Sequence, residues 1–137
     1  MKTSMKLFAL PVLGAIALGL VAFTYPASGE WKVPDADQKV KNPVKAEKAS
    51  IDAGAALYGK HCKSCHGKTG EGDGPKASEL KTELTDFSAA KFQGQSDGSM
   101  FYKILKGRDE MPSFAKKITE DNDVWSLVNY VRTLKKK

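Results

Sequence analysis

From residue 50 onward the apolar side chains recur at three- and four-residue intervals in separate blocks, the period of helices that bury one face. In the first block Ile51, Gly54, Ala55, Tyr58 and Cys62 share a side, with Ser50 placed to cap the helix and Asp52 in its first turn. A stretch with Gly67, Gly70, Gly72 and Gly74 ends in Pro75; it cannot be regular helix and predicts a wrapped loop, followed by a short helix over 76–84. Asp97 opens another helix with Met100, Phe101, Ile104 and Leu105 as its apolar stripe and Gly107 just beyond its end. After a loop holding Met111-Pro112, Thr119 predicts an N-cap, and Glu120, Asp121 and Asp123 suit the positive end of a helix dipole. Val124, Leu127, Val128, Val131 and Leu134 then form one face, and Arg132 suits its C-terminal end. No block carries a strand pattern, so the predicted class is all-α, with helices joined by glycine-rich loops.

The first 50 residues follow other patterns. Met1 to Lys6 carries two lysines and no acid, 7–23 is an apolar run of 17 residues, and Ala27-Ser28-Gly29 sets small residues before Glu30. The run is broken by Pro11, Gly14 and Gly19 and falls short of the roughly 20 residues of a spanning helix. Residues 1–29 are therefore expected to be a cleaved export signal, with retention as an N-terminal anchor as the alternative. No cysteine follows the run, which excludes a lipid-anchored lipoprotein. Residues 30–50 hold Pro34, Pro43, five lysines and four acids, with Val33, Val40 and Val44 too scattered for a face, and read as an extended linker. Residues 51–137 are the one domain for which there is room, with no internal repeat.

Charge changes the picture only when divided by segment. The chain is formally +6, yet residues 51–134 carry 12 basic and 12 acidic side chains, so the excess sits on the two ends. No basic stripe interleaved with aromatic residues appears, and nucleic acid is not an expected partner.

The chemistry lies in Cys62-Lys63-Ser64-Cys65-His66, which holds both cysteines and one of the two histidines. Thiols three positions apart can reach both vinyl groups of one porphyrin edge while the next side chain turns its imidazole beneath the iron. A thioredoxin-like site needs a strand before the motif, and none is predicted. Zinc needs a second ligand pair farther along, and none exists beyond His61, Cys62, Cys65 and His66. A structural disulfide would close a tiny strained loop and leave His66 unexplained. One covalently attached haem c is therefore the expected cofactor, and with the export signal ahead of it the expected location is a bacterial periplasm.

A sixth ligand to iron is sought in a loop well past His66. Of the four methionines, Met1 and Met5 lie in the signal segment and Met100 on an apolar helix stripe, whereas Met111 stands among the polar residues 108–113. Met111 is the expected second axial ligand, with loop packing as its ordinary alternative. His61, immediately before Cys62, reads as a surface histidine.

With these residues placed, the stretch from Ile51 to Leu134 resembles a single-haem class I c-type cytochrome. The likeness rests on Gly54 and Tyr58 ahead of Cys62 to His66, Gly72-Asp73-Gly74-Pro75, Asp86-Phe87, Gly107 with Met111-Pro112-Ser113-Phe114, and Trp125 with Tyr130-Val131-Arg132. The resemblance implies a cytochrome c fold of three to five helices around one haem. It implies that Gly54 lets the Tyr130 face approach, and that the Pro75 carbonyl accepts a hydrogen bond from the far nitrogen of His66. It also implies a one-electron carrier that is not an enzyme and docks transiently on redox proteins, with Lys60, Lys63 and Lys68 as a patch or simply as solvated residues. The alternatives are a cytochrome subunit of a membrane-bound oxidoreductase complex, an open-iron sensor or peroxidase, and a haem-free module. A membrane contact is expected only if the N-terminal segment is uncleaved.

Overall fold

A computed structural model describes residues 29–136; the export-signal expectation falls, apart from Gly29, outside the described residues. The element order is α1 (Asp35–Gln38), α2 (Lys48–His61), α3 (Lys63–His66), a 3-10 turn at Ala77–Glu79, α4 (Ala90–Gln93), α5 (Asp97–Lys106) and α6 (Asp121–Thr133). Among the described residues there is no strand, only an isolated antiparallel bridge between Arg108 and Met111. The class is all-α, with α2, α5 and α6 as the three long helices and α1, α3 and α4 as single turns.

Helix α2 packs on α6 more extensively than any other pair of elements does. Gly54 makes this possible: a Cβ there would lie 2.7 Å from the Ser126 carbonyl carbon and 2.8 Å from Tyr130 Cβ, so only a residue without a side chain fits. Tyr58 packs into the same crossing with its ring 5.1 Å from that of Tyr130. Around it lie Val124, Leu127, Val128 and Trp125 of α6, with Met100, Phe114 and Ile118 completing the buried cluster. Each of the large side chains buried here contributes about 1.5–3 kcal/mol by leaving water. Helix α5 joins through the Phe101 ring, stacked 4.1 Å from Trp125. Arg132 reaches back from α6, donating from Nε and Nη2 to Asp97 Oδ1 at 2.8 and 2.6 Å and from Nη2 to the Gln95 carbonyl.

Two helix starts differ from the sequence expectation by a few residues. Helix α2 begins at Lys48 with Glu47 as N-cap, and Ser50 is the third helical residue, not the cap. Its hydroxyl faces backward, accepting from the Glu47 N–H at 3.3 Å and donating to the Lys45 carbonyl at 2.6 Å, so it fastens the chain entering the helix. Helix α6 is preceded by Glu120 rather than Thr119, because the Glu120 carbonyl takes the first bonds from Asp123 and Val124. The helix expected over 76–84 shrinks to the 3-10 turn, since Leu80 is already extended.

Residues 30–50, expected as an extended linker, contain α1 and the first turn of α2 and lie against the domain. Helix α1 contacts α5. Asn42 Nδ2 donates to Asn129 Oδ1 at 2.8 Å, while Asn129 Nδ2 donates to the Val44 carbonyl at 3.0 Å and to Ser50 Oγ at 3.2 Å. Polar bonds to α6 hold this segment, which is why scattered valines gave no sign of it.

Candidate functional site

The five-residue motif occupies the end of α2 and all of α3. Cys62 caps α2, its N–H donating to the Tyr58 carbonyl at 2.9 Å, and the chain turns at once into the single turn that ends at His66. Cys62 and Cys65 are unpaired thiols, so no disulfide exists, and burial pushes the Cys62 thiol up to about 12, with Cys65 adding to it. Among the described residues no three His, Cys, Asp or Glu side chains cluster so as to hold a metal ion. Burial lowers His66 to about 4, so its imidazole is neutral at physiological pH and has a lone pair to give.

Phe87 stacks on the His66 ring at 4.3 Å and 26°, and Phe92 stacks on Phe87 at 4.4 Å. Phe87 is itself placed by its N–H, which donates to the Gly70 carbonyl at 2.7 Å. The glycine-rich loop is bound to the motif on both sides of Pro75: Gly74 N–H donates to the Cys65 carbonyl at 3.1 Å and Lys76 N–H to the Ser64 carbonyl at 2.9 Å. His66 Nδ1 is buried and makes no hydrogen bond, so the bond expected from it to the Pro75 carbonyl is not formed in this structure, where the ring instead follows Phe87. Tyr58 closes the motif from the other end, its hydroxyl donating to the Gly67 carbonyl at 2.8 Å.

Met111 lies in a tight turn after α5. Gly107, at φ +65, begins it, and a Cβ there would sit 2.5 Å from the Met111 carbonyl oxygen and from Ser113 N. Arg108 and Met111 exchange both backbone hydrogen bonds at 2.9 Å, and Asp109 between them takes the left-handed conformation at φ 52. Glu110 staples this turn to the neighbouring loop, its carboxylate accepting from the Lys81 and Thr82 N–H groups at 2.8 Å, which holds its carboxyl below the usual range. The Met111 side chain is half-buried against the core, whereas Met100 is 4% exposed inside it. The ring of His61 meets Phe114 edge-on at 5.9 Å, which brings the end of α2 beside the methionine turn. His61 thus has a packing role, and Cys62, Phe87, Phe92 and Met111 line one apolar cluster.

Phe87, Glu110 and the Tyr58 hydroxyl are site residues that periodicity does not reveal. An aromatic residue directly after Asp86, in the loop that follows the glycine-rich stretch, is the only hint of the first; the other two act on backbone groups elsewhere in the chain.

Two free thiols three residues apart, followed by a neutral imidazole with an orphaned buried nitrogen, fit a haem c attached through both sulfurs. The family model for cytochrome c oxidase, cbb3-type, subunit III matches residues 49–131, well over half the chain. The chain belongs to this c-type cytochrome family. Among solved structures, a chain of the reducing HAO-like protein complex Kustc0457/Kustc0458 of Kuenenia stuttgartiensis is 34% identical, with a TM-score of 0.63 over 71% of this chain and 50% of that one. This cytochrome thus spans about half the length of that relative. The KustC0563 c-type cytochrome is 35% identical, with a TM-score of 0.53 over 61% of this chain and 98% of that one. A search of curated proteins finds no match. The cytochrome c domain carries haem c covalently and is that of an electron-transfer haem protein.

Proposed function

We propose that the cytochrome is a periplasmic one-electron carrier in which Cys62 and Cys65 would bind the haem and His66 and Met111 would hold its iron. The observation that carries this reading is the contrast between the two methionines of residues 29–136: Met100 is spent in the core, and Met111 is presented by a turn fixed through its own backbone bonds. The bound haem supplies an iron that gains and loses one electron. The chain supplies the rest. His66 stays neutral because burial disfavours its charged form, and Phe87 fixes the plane of its ring. Met111 offers a soft thioether, which favours the reduced state, and Phe87, backed by Phe92, covers one face of the His66 ring. With both ligands retained in both oxidation states, little has to rearrange on electron transfer.

Lys60, Lys63 and Lys68 are exposed around the motif and supply a weak docking patch for redox proteins. Residues 1–29 serve as the export signal. No helix among the described residues is long and apolar enough to cross a membrane. A second reading, a subunit of a membrane-bound oxidoreductase complex, is favoured by the family description and by the complex that contains one relative. In that case residues 1–29 are retained as a tether, and the intact mass of the native protein separates the two.

The test of ligation is the absorption spectrum of the ferric protein. Met111→Ala is expected to abolish the weak red thioether-to-iron band and to lower the reduction potential; a band that survives in this variant refutes the assignment.

A further inference from the structure

The segment ahead of α2 does more than cover the domain, because its beginning lies on the turn that carries Met111. The Trp31 ring receives two cations: the Arg108 guanidinium is 4.9 Å from its centroid and Lys103 Nζ 5.5 Å. Arg108 Nη1 also donates to the Gly29 carbonyl at 2.9 Å. Arg108 is the residue whose backbone N–H and carbonyl both pair with Met111. Glu30 sits close enough to Lys103 for its charge to oppose the burial and the Arg108 charge that lower the lysine. Indole and carboxylate together hold two like charges side by side.

This segment is anchored independently of the turn. Gly98 of α5 lies directly beneath the Asp37 carbonyl, and a Cβ there would come within 2.8 Å of the Val40 carbonyl, so the segment rests on bare backbone. Asn42 fixes it to α6 through Asn129 and the Trp125 carbonyl. A tethered Trp31 therefore bears on Arg108 from a fixed point.

We propose that residues 29–47 form a clamp in which Trp31, acting through Arg108, holds the Met111 turn closed and so keeps the sixth position of the haem iron shut to other ligands. The inference rests on Met111 being that ligand. The turn itself is held by two backbone bonds, the Glu110 carboxylate and the Ser113 hydroxyl on the Leu105 carbonyl, and it contains a non-glycine residue at positive φ. Short turns of this kind open locally at small cost, and an external contact shifts that equilibrium directly. The Gly29 carbonyl belongs to the clamp only while the chain is uncut between Gly29 and Glu30; Trp31 belongs to it in either form.

The experiment is a titration of the ferric holoprotein with imidazole, followed by loss of the red thioether band, alongside hydrogen exchange at the Arg108 and Met111 amides. Trp31→Ala is expected to bind imidazole about five-fold more tightly and to exchange those amides about five-fold faster, the change in opening that one cation–π contact supplies. Trp31→Phe, which restores a ring, is expected to return toward wild type. In a Met111→Ala background Trp31→Ala should leave imidazole affinity unchanged. A Trp31→Ala variant that keeps wild-type imidazole affinity overturns the clamp, even if it unfolds more easily. A wild-type protein without the red band refutes the Met111 reading and the clamp with it, whereas a band that is present but yields to the same imidazole concentration in Trp31→Ala as in wild type sinks the clamp alone.

Discussion

Placing a methyl group at Gly54 tests the packing on which the site depends. In Gly54→Ala the new Cβ begins 2.8 Å from Tyr130 Cβ and 2.7 Å from the Ser126 carbonyl carbon, whereas ordinary contact begins at 3.4 Å. Helix α6 must retreat by at least 0.7 Å, and farther to clear the Ser126 carbonyl oxygen, and the obstacle is largely backbone, which cannot rotate away. Overpacking against a rigid neighbour costs about 3 kcal/mol, offset by about 1 kcal/mol of better helix propensity, for a net loss of about 2 kcal/mol. For a domain of this size that lowers Tm by about 10 °C. Gly59, on the same helix, faces open space, with nothing within 4 Å of where a Cβ would stand, so Gly59→Ala should stabilise by up to about 1 kcal/mol. Guanidinium denaturation of the holoprotein, followed by far-ultraviolet circular dichroism, measures both. If the two substitutions shift stability in the same direction, the account of the α2 and α6 crossing is wrong.

Other outcomes follow from the same packing and electrostatics. Met100→Ala is expected to cost about 2–5 kcal/mol in a denaturation experiment while keeping the red band, since Met100 is core. Asp86 is held below its ordinary carboxyl value chiefly by the Ser88 hydroxyl, with Lys136 assisting. Because the folded value lies below the unfolded one, this contribution is complete above the ordinary value of 3.8 and is lost as pH falls through the folded value. Asp86→Asn should therefore flatten the acid limb of a stability-against-pH curve, and a limb as steep as wild type counts against the bond. Replacing Cys62 and Cys65 together by serine should leave a chain that melts without cooperativity by calorimetry, because a domain this small loses its largest apolar component with the haem.

The long helices α5 and α6 were legible because each carries a full apolar stripe, and α5 in addition has glycine at its end and Ser96 before it, whose side chain accepts from Ser99 N–H. The attachment motif was legible because its chemistry requires adjacent residues. What escaped was whatever depends on distant partners. Ser50 looked like a cap because serine prefers that position, yet its hydroxyl is engaged by residues before it. Asn42 and Asn129 are 87 positions apart, and nothing in local periodicity couples them. Phe87 reads as an ordinary loop aromatic until its ring is seen against His66. The Pro75 carbonyl was assigned by resemblance, and the ring nitrogen it was to meet is instead left alone beside a stacked phenylalanine.

The bonds of Asn129 have a consequence for how the chain is finished. This one amide belongs to the final helix and grips Asn42, Val44 and Ser50, all of which leave the ribosome before the cysteines do. Residues 42–50 therefore lack their α6 partners until the trailing helix is made, whereas residues 29–40 can rest on α5 and the turn after it before then. The meeting of residues 42–50 with α6 is thus the last of these joints to form.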